Sequence, residues 1–323
     1  MAGIRLASLA LSLLLALGLA AFGLAVSWSQ LRGPSDTERL VVLQRGMSLS
    51  AIASSLEQQG VIRNAGLFNL WLRLSGRADE LRAGEYRFPA GASGAEVADT
   101  LLKGLTYKRR VTVPEGVTTD RALALVAEAA GLQGAAPAGV AEGALLPETY
   151  QYEWGDGRAA LVTRMQRAQL ELMNSLWPQR AANLPLQSPE QALILASIVE
   201  RETALAEERP RIAGVFLNRL RMGMRLQSDP TVEYGLRLRG RPEGQPLTRD
   251  DLETDTPYNT YRIRGLPPAP IANPGRAAIA AVLQPAATNE LYFVADGTGG
   301  HAFAVTLDEH NRNVARYRAL RAE

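Results

Sequence analysis

The residues best suited to chemistry are two glutamates at the end of an apolar helix. Ser188-Pro189-Glu190-Gln191 reads as a helix start: Ser188 can cap, Pro189 suits the first helical position, and Gln191 completes a capping box. Ala192 to Val199 is apolar almost all round, the pattern of a buried helix, and Glu200-Arg201-Glu202-Thr203 closes it. At helical spacing Glu200 falls between the directions of Leu193 and Ala196, and Glu202 between those of Leu195 and Ile198. Burial raises a carboxyl pKa because the charged form loses hydration, and the negative end of the helix dipole acts the same way. A carboxyl that keeps its proton near neutral pH can serve as a general acid. The same spacing fits a structural ion pair with Arg201, Arg209 or Arg219, and spacing alone leaves both readings open.

Other polar residues cluster downstream. Asn218 and Arg219 lie on a helix marked by Pro210 and the stripe Ile212, Val215, Phe216 and Leu220, in reach of a cleft. Asp229-Pro230-Thr231 repeats the cap-then-proline signature, so Asp229 reads first as a helix cap and second as a catalytic partner. Thr256-Pro257-Tyr258-Asn259-Thr260-Tyr261 puts aromatics, hydroxyls and an amide in one segment, a mixture that suits sugars and also ordinary turns. His301 opens a strand candidate after the turn Asp296 to Gly300, and a hydrogen-bonded structural role fits it equally. Thr306 and Glu309 form a capping box for the last helix.

Composition narrows the chemistry. The chain has no cysteine, which excludes thiol nucleophiles, disulfides and cysteine-based metal sites. With two histidines, His301 and His310, a three-histidine zinc site is excluded, and no metal or cofactor is expected. No G-x-S-x-G or S-x-x-K motif supports a serine hydrolase. The net charge is +2, and the arginine excess behind a pI of about 9.0 is spread along the chain, so no nucleic-acid partner is expected.

The elements that must carry these residues follow an N-terminal apolar run. Leu6 to Trp28 carries no charge, is long enough to span a bilayer, and is flanked by Arg5 and by Trp28 as an interface aromatic. It exceeds the apolar core of a cleaved signal peptide, typically ~7–15 residues, so a membrane anchor is expected with the larger C-terminal part exported. After a linker at Gly33-Pro34-Ser35-Asp36, the spacing predicts a strand at Leu40 to Leu43 and a helix from Ser48 to Gln59. A second helix, capped by Asn64, carries Leu67, Leu70, Trp71 and Leu74, and a strand follows at Glu85 to Phe88. Strand-helix-helix-strand is the plan of a LysM-like carbohydrate-binding module, and Gly46-Met47-Ser48 resembles a LysM start; a generic α+β spacer fits the pattern as well. A helix at Ala95 to Lys103, a strand at Arg110 to Val113, the turn Pro114-Glu115-Gly116, and a helix at Asp120 to Ala130 capped by Thr119 come next. Gly134 to Gly143 reads as a flexible connection, and Asn273-Pro274 starts a helix from Gly275 to Leu283.

Several ordered blocks resemble the YceG-like family of endolytic murein transglycosylases. They are Ala196-Ser197-Ile198-Val199-Glu200-Arg201-Glu202-Thr203, Val215-Phe216-Leu217-Asn218-Arg219-Leu220 and Gly223-Met224-Arg225-Leu226-Gln227-Ser228-Asp229-Pro230-Thr231-Val232. Tyr258-Asn259-Thr260-Tyr261, Gly265-Leu266-Pro267-Pro268, Ile271-Ala272-Asn273-Pro274-Gly275 and Tyr292-Phe293-Val294-Ala295 complete the set, which covers the chain from about Gly143 onward. Where the family often has Asp before the catalytic domain, this chain has Glu148, which keeps the charge. The resemblance implies that Glu200 is the catalytic glutamate of a lyase acting between MurNAc and GlcNAc and leaving 1,6-anhydro ends. It also brings Glu202, Asn218, Arg219, Gln227, Ser228, Asp229, Thr231, Tyr258, Asn259, Thr260, Tyr261 and His301 forward as substrate-binding candidates.

The expected fold is α+β in three parts. Residues 1–30 are a cytoplasmic tip and transmembrane anchor, 31–113 a linker and LysM-like module, and 114–323 a mixed α+β catalytic domain. The expected partners are peptidoglycan glycan strands, the membrane through a single pass, and peptidoglycan synthases. The expected location is the cell inner (plasma) membrane, with the catalytic domain on the periplasmic, extracytoplasmic side. Two other functions compete: a hydrolytic muramidase pairing Glu200 with Asp229 or Glu253, and a non-catalytic wall-binding scaffold.

Overall fold

A computed structural model describes residues 2–77, 80–242 and 244–320, the side chains of residues 2–8 and 10 excepted. Arg5, read as the inner flank of the apolar run, falls among those excepted side chains. The fold is mixed α+β. The chain divides into two compact units: residues 1–109 with 130–132 and 151–156, and residues 110–129, 133–150 and 157–323.

In the first unit a long helix, α1 (Ala2–Ser29), is followed by β1 (Arg39–Leu43), α2 (Leu49–Gln58), α3 (Ala65–Leu74), β2 (Gly84–Phe88) and α4 (Gly94–Leu102). Within α1, Leu11–Ser29 has a mean hydropathy of 2.1, long and apolar enough to cross a membrane, and little of it is buried by the protein. Strands β1 and β2 pair antiparallel, from Arg39 opposite Phe88 to Leu43 opposite Gly84. Alternation sends Val41, Leu43, Tyr86 and Phe88 into one core with Ile52, Ala53 and Leu56 of α2. Ser48 caps α2 and Asn64 caps α3, each accepting a backbone N–H three residues on. The buried face of α3 differs from the expected Leu67, Leu70, Trp71 and Leu74 stripe. Phe68 and Leu72 are fully buried, whereas Leu70 and Leu74 are exposed. Helix α3 is apolar around most of its girth: one stripe enters the core, while Leu74 lines a groove with Leu11, Leu15 and Phe22 of α1.

Strand β3 (Arg109–Thr112) pairs with β4 (Thr149–Tyr152), and α5 (Thr119–Glu128) lies between them in sequence. The cap of α5 is Thr118, one residue before the expected Thr119; its hydroxyl accepts from the Arg121 N–H. Thr119 is buried and donates to the Ala141 carbonyl. Residues 134–143, expected to be a flexible connection, are tied down at their end, where Glu142 accepts from the Thr119 N–H at 2.7 Å.

The second unit continues with α6 (Arg158–Leu176), α7 (Pro189–Glu202), α8 (Arg209–Arg221), α9 (Asp229–Arg237), α10 (Arg249–Glu253) and α11 (Arg276–Leu283). It ends with the antiparallel hairpin β5 (Tyr292–Ala295) and β6 (His301–Ala304), then α12 (Leu307–Leu320). Helix α7 is the centre of its core: Ala192, Leu195, Ala196, Ile198 and Val199 are fully buried against α8 and α11. Phe216 of α8 meets Phe293 of β5 edge to face at 5.6 Å, which seats the hairpin. Helix α11 begins at Arg276, one residue after the expected Gly275, which takes the cap position. Asn273 is fully buried and instead gathers neighbouring loops.

Candidate active site

Helix α7 delivers its C-terminal carboxylates because its start is fixed. Ser188 accepts the Gln191 N–H as expected, with Pro189 in the first turn. The reciprocal half of the capping box differs: Gln191 accepts from the Gln187 N–H, one residue earlier than a capping box requires.

At the far end the Glu200 side chain is 3% exposed. One carboxylate oxygen accepts from Arg209 Nη2 at 3.0 Å, and the other accepts from the Gly275 N–H at 2.9 Å. Arg209 opens α8 and also lies 3.6 Å from Glu115 Oε2. The turn Pro114-Glu115-Gly116 closes over this pair. Gly116 holds a left-handed backbone (φ 76°), and a Cβ there would sit 3.5 Å from Glu200 Cγ. A Cβ on Gly275 would fall 1.8 Å from Glu115 Oε1, so glycine is what lets Glu115 approach.

Burial pushes the Glu200 carboxyl above the usual glutamate range. The Gly275 N–H and the Arg209 charge pull the other way, and Glu115 adds to the rise. The ion pair and the raised carboxyl therefore coexist. Such a group can hold a proton, release it, and have the resulting anion met by a guanidinium and a backbone N–H already in place.

Glu202 leaves α7 in another direction and belongs to a second network. Its carboxylate accepts from the Ser228 hydroxyl, and burial raises its pKa to about 7, with the Asp229 charge adding to the rise. Thr231 and Thr260 bond each other at 2.8 Å, and the Ser228 N–H donates to the Thr260 hydroxyl at 2.9 Å. Gln227 holds a left-handed backbone (φ 52°) and donates its N–H to the Thr260 carbonyl. Asp229 does not cap α9. Ser228 takes the cap position without a side-chain bond, and Asp229 accepts from the Tyr261 hydroxyl at 2.6 Å. The 227–231 and 258–261 segments, linked in the sequence only by shared polar character, are thus one hydrogen-bonded unit.

The remaining candidates bond mainly to the protein itself. Asn218 donates to the carbonyls of Thr288 and Glu290, and Arg219 to those of Leu291 and Leu226, so these donors hold loops where a cleft contact was expected. Asn259 is buried and donates to the Leu252 and Thr254 carbonyls. Tyr258 packs its ring 4.8 Å from that of Tyr234. His301 Nδ1 lies 2.6 Å from Glu208 Oε2, and the His301 N–H donates to the same carboxylate. Among the described residues no group of three or more His, Cys, Asp or Glu is placed to hold a metal ion. Sequence reading missed Glu115 and the Gly275 N–H, because nothing in their spacing links them to residue 200.

The comparisons agree with this architecture. The sequence model of the YceG-like family matches residues 41–316. A protein of Bacillus subtilis named endolytic murein transglycosylase is 31% identical over 316 residues, covering 88% of this chain and 86% of that one. One of the same name from Streptococcus pneumoniae serotype 2 is 28% identical; 86% of this chain matches 58% of its length, so this chain spans little more than half of that relative. A 2.6 Å crystal structure of a YceG-like protein from Listeria monocytogenes aligns with a TM-score of 0.53 and 30% identity, over 86% of this chain and 99% of that one. On this evidence the chain belongs to the YceG-like family.

Proposed function

We propose that the protein is an endolytic peptidoglycan lytic transglycosylase, with Glu200 as its acid and base. It would cut MurNAc–GlcNAc bonds in nascent glycan strands, leave 1,6-anhydroMurNAc ends and so end strand growth. The observation that carries this reading is the buried Glu200 carboxyl, raised by desolvation yet bonded to Arg209 and the Gly275 N–H. The names of the Bacillus and Streptococcus relatives support the same reaction class.

The mechanism needs one carboxyl group. Protonated Glu200 gives its proton to the glycosidic oxygen as that bond to the MurNAc anomeric carbon breaks. The GlcNAc side leaves as an alcohol. Arg209 and the Gly275 N–H stabilise the carboxylate that remains. That carboxylate takes the proton of the MurNAc 6-hydroxyl, whose oxygen bonds to the anomeric carbon. Glu200 ends protonated and no water is consumed. Ordinary glycosidases need a second carboxylate to act on water or form a covalent intermediate. The carboxylate beside Glu200 is Glu115, which shares Arg209 with it; a raised acid fits Glu115 as a neighbouring charge.

The Glu202–Ser228–Asp229–Tyr261 network, with Gln227, Thr231, Asn259 and Thr260 behind it, supports the reading of these segments as substrate-binding walls. Asn218, Arg219, Tyr258 and His301 would act by holding those walls. Residues 1–30 would anchor the enzyme in the plasma membrane by a single pass, with 114–323 as catalytic domain on the extracytoplasmic side. The strand-helix-helix-strand arrangement within 31–113 supports a LysM-like module. Peptidoglycan synthases would be partners at the growing strand. Mass spectrometry of digested sacculi tests the reaction: anhydro products are one water lighter than the reducing ends a hydrolytic muramidase would leave, and reducing ends alone would replace the lyase reading.

A further inference from the structure

Arg201 and Arg237 meet in a small cleft of about 40 Å³ whose walls include Thr118, Glu233, Tyr234 and Arg241. The cleft lies beside Glu200: Arg201 is the next residue of α7, and its Nη1 donates towards the carbonyl of Gly116, the glycine packed over Glu200. Its three arginines are not equivalent. Arg241 is locked, at 2.5 Å from Asp251 Oδ1 and 2.7 Å from the Pro246 carbonyl. Arg201 has its carboxylate partner, Glu233, at 3.8 Å, and that side chain is 48% exposed. Arg237 lies 3.4 Å from the exposed Asp120 and 3.7 Å from Glu142, and its Nε is buried with no partner among the described residues. Charge-assisted N–H···O bonds run at about 2.7–2.9 Å, so among the described residues Arg201 and Arg237 keep donors that their neighbours do not fully engage. The Tyr234 ring lies under the Arg237 guanidinium at 5.0 Å, and its hydroxyl is fixed to Glu142, which holds that guanidinium plane in place.

We propose that Arg201 and Arg237 form a carboxylate subsite that takes the acidic stem peptide carried by the strand cut at Glu200. This rests on the peptidoglycan reading of Glu200. A planar carboxylate matches the fork of a guanidinium. Stem peptides carry free carboxylates close to the sugar that bears them, and the cleft opens one residue from the reacting group. The subsite selects peptide-bearing strands over stripped ones. Glu233, half-exposed on α9, is the charge a ligand must displace from Arg201, and surface pairs of this kind are weak.

The test is calorimetric binding to the full chain in detergent. The probes are alanyl-γ-glutamyl-lysine with its carboxylates free and the same peptide with them amidated. We expect the free acid to bind at least tenfold tighter, and Arg201→Gln and Arg237→Gln each to remove most of that preference. Arg201→Gln guards against misfolding, because the Arg201 side chain is 37% exposed. Equal affinity for the two peptides, no binding of either, or a preference unchanged in both variants overturns the subsite. Glycan cleavage by the same preparation separates the two ideas. Cleavage without an acid preference sinks the subsite alone; an acid preference lost in the variants, without cleavage, upholds the subsite and sinks the lyase reading.

Discussion

The proposed reaction makes two demands on the Glu200 carboxyl: to hold a proton and to become an anion without disrupting the site. Desolvation meets the first, and Arg209 with the Gly275 N–H meets the second. As the proposed acid, Glu200 works only when protonated, so kcat/KM should fall as pH rises through its pKa. Glu115 raises that pKa; Glu115→Gln should therefore move the alkaline limb to lower pH, by less than about one unit because Glu115 is half-exposed. Arg209→Gln should move it to higher pH, and pH–rate profiles of both variants check the pair of signs. Glu202 offers a separate test, on stability. Its folded pKa of about 7 lies above the unfolded value, so the folded state binds more protons in between. Its contribution is complete below the ordinary glutamate pKa and is lost as pH rises through about 7, by roughly 3 kcal/mol. Glu202→Gln should flatten the decline in unfolding free energy between pH 5 and 8; an unchanged profile would show that Glu202 is not the group responsible.

At the scale of elements, Asn273 decides how the loops around Glu200 are registered. It accepts from the Leu145 N–H at 2.9 Å, donates to the Val117 carbonyl and to Thr119, and stands two residues before the Gly275 N–H that Glu200 uses. Asn273→Ala leaves the Leu145 N–H without its partner. We expect a loss of about 1–3 kcal/mol in stability, read by denaturant unfolding, and a larger fall in kcat than Asn218→Ala causes. Helix α7 was legible in the sequence because cap, proline and all-round apolar run agree on one answer. The strands β1 and β2 were legible from short apolar runs bounded by turns. The cap of α5 was misplaced by one residue because Thr118 and Thr119 are chemically alike, and only the fold shows which one is buried. The buried face of α3 was misread because a helix apolar around most of its girth does not say which neighbour it meets. Glu115 was invisible as a site residue. Its approach to Arg209 depends on Gly275 lacking a side chain, a tertiary fact with no trace in local spacing.

At the scale of the whole molecule, the proposed anchor lies within the first unit, and the proposal that residues 114–323 are extracytoplasmic is a statement about orientation. The apolar stretch Leu11–Ser29 and the absence of cysteine make orientation directly measurable. A single cysteine at an exposed position in the segment after the helix, as in Asp36→Cys, should react with a membrane-impermeant maleimide in intact cells. Protection until the membrane is opened would place the segment inside and contradict the assignment. The apolar N-terminal helix was legible from hydropathy and composition. The interleaving of the two units was not, since residues 130–132 and 151–156 return to the first unit without any signal in their own sequence.

The most direct test of the central claim is glycan cleavage by the wild-type protein and by Glu200→Gln, with products from purified sacculi resolved by mass spectrometry. Anhydro-ended fragments are expected from the wild type, and Glu200→Gln should lose at least 100-fold in rate, the scale of a missing general acid. Cleavage that persists in Glu200→Gln, or wild-type products with reducing ends, would contradict that claim.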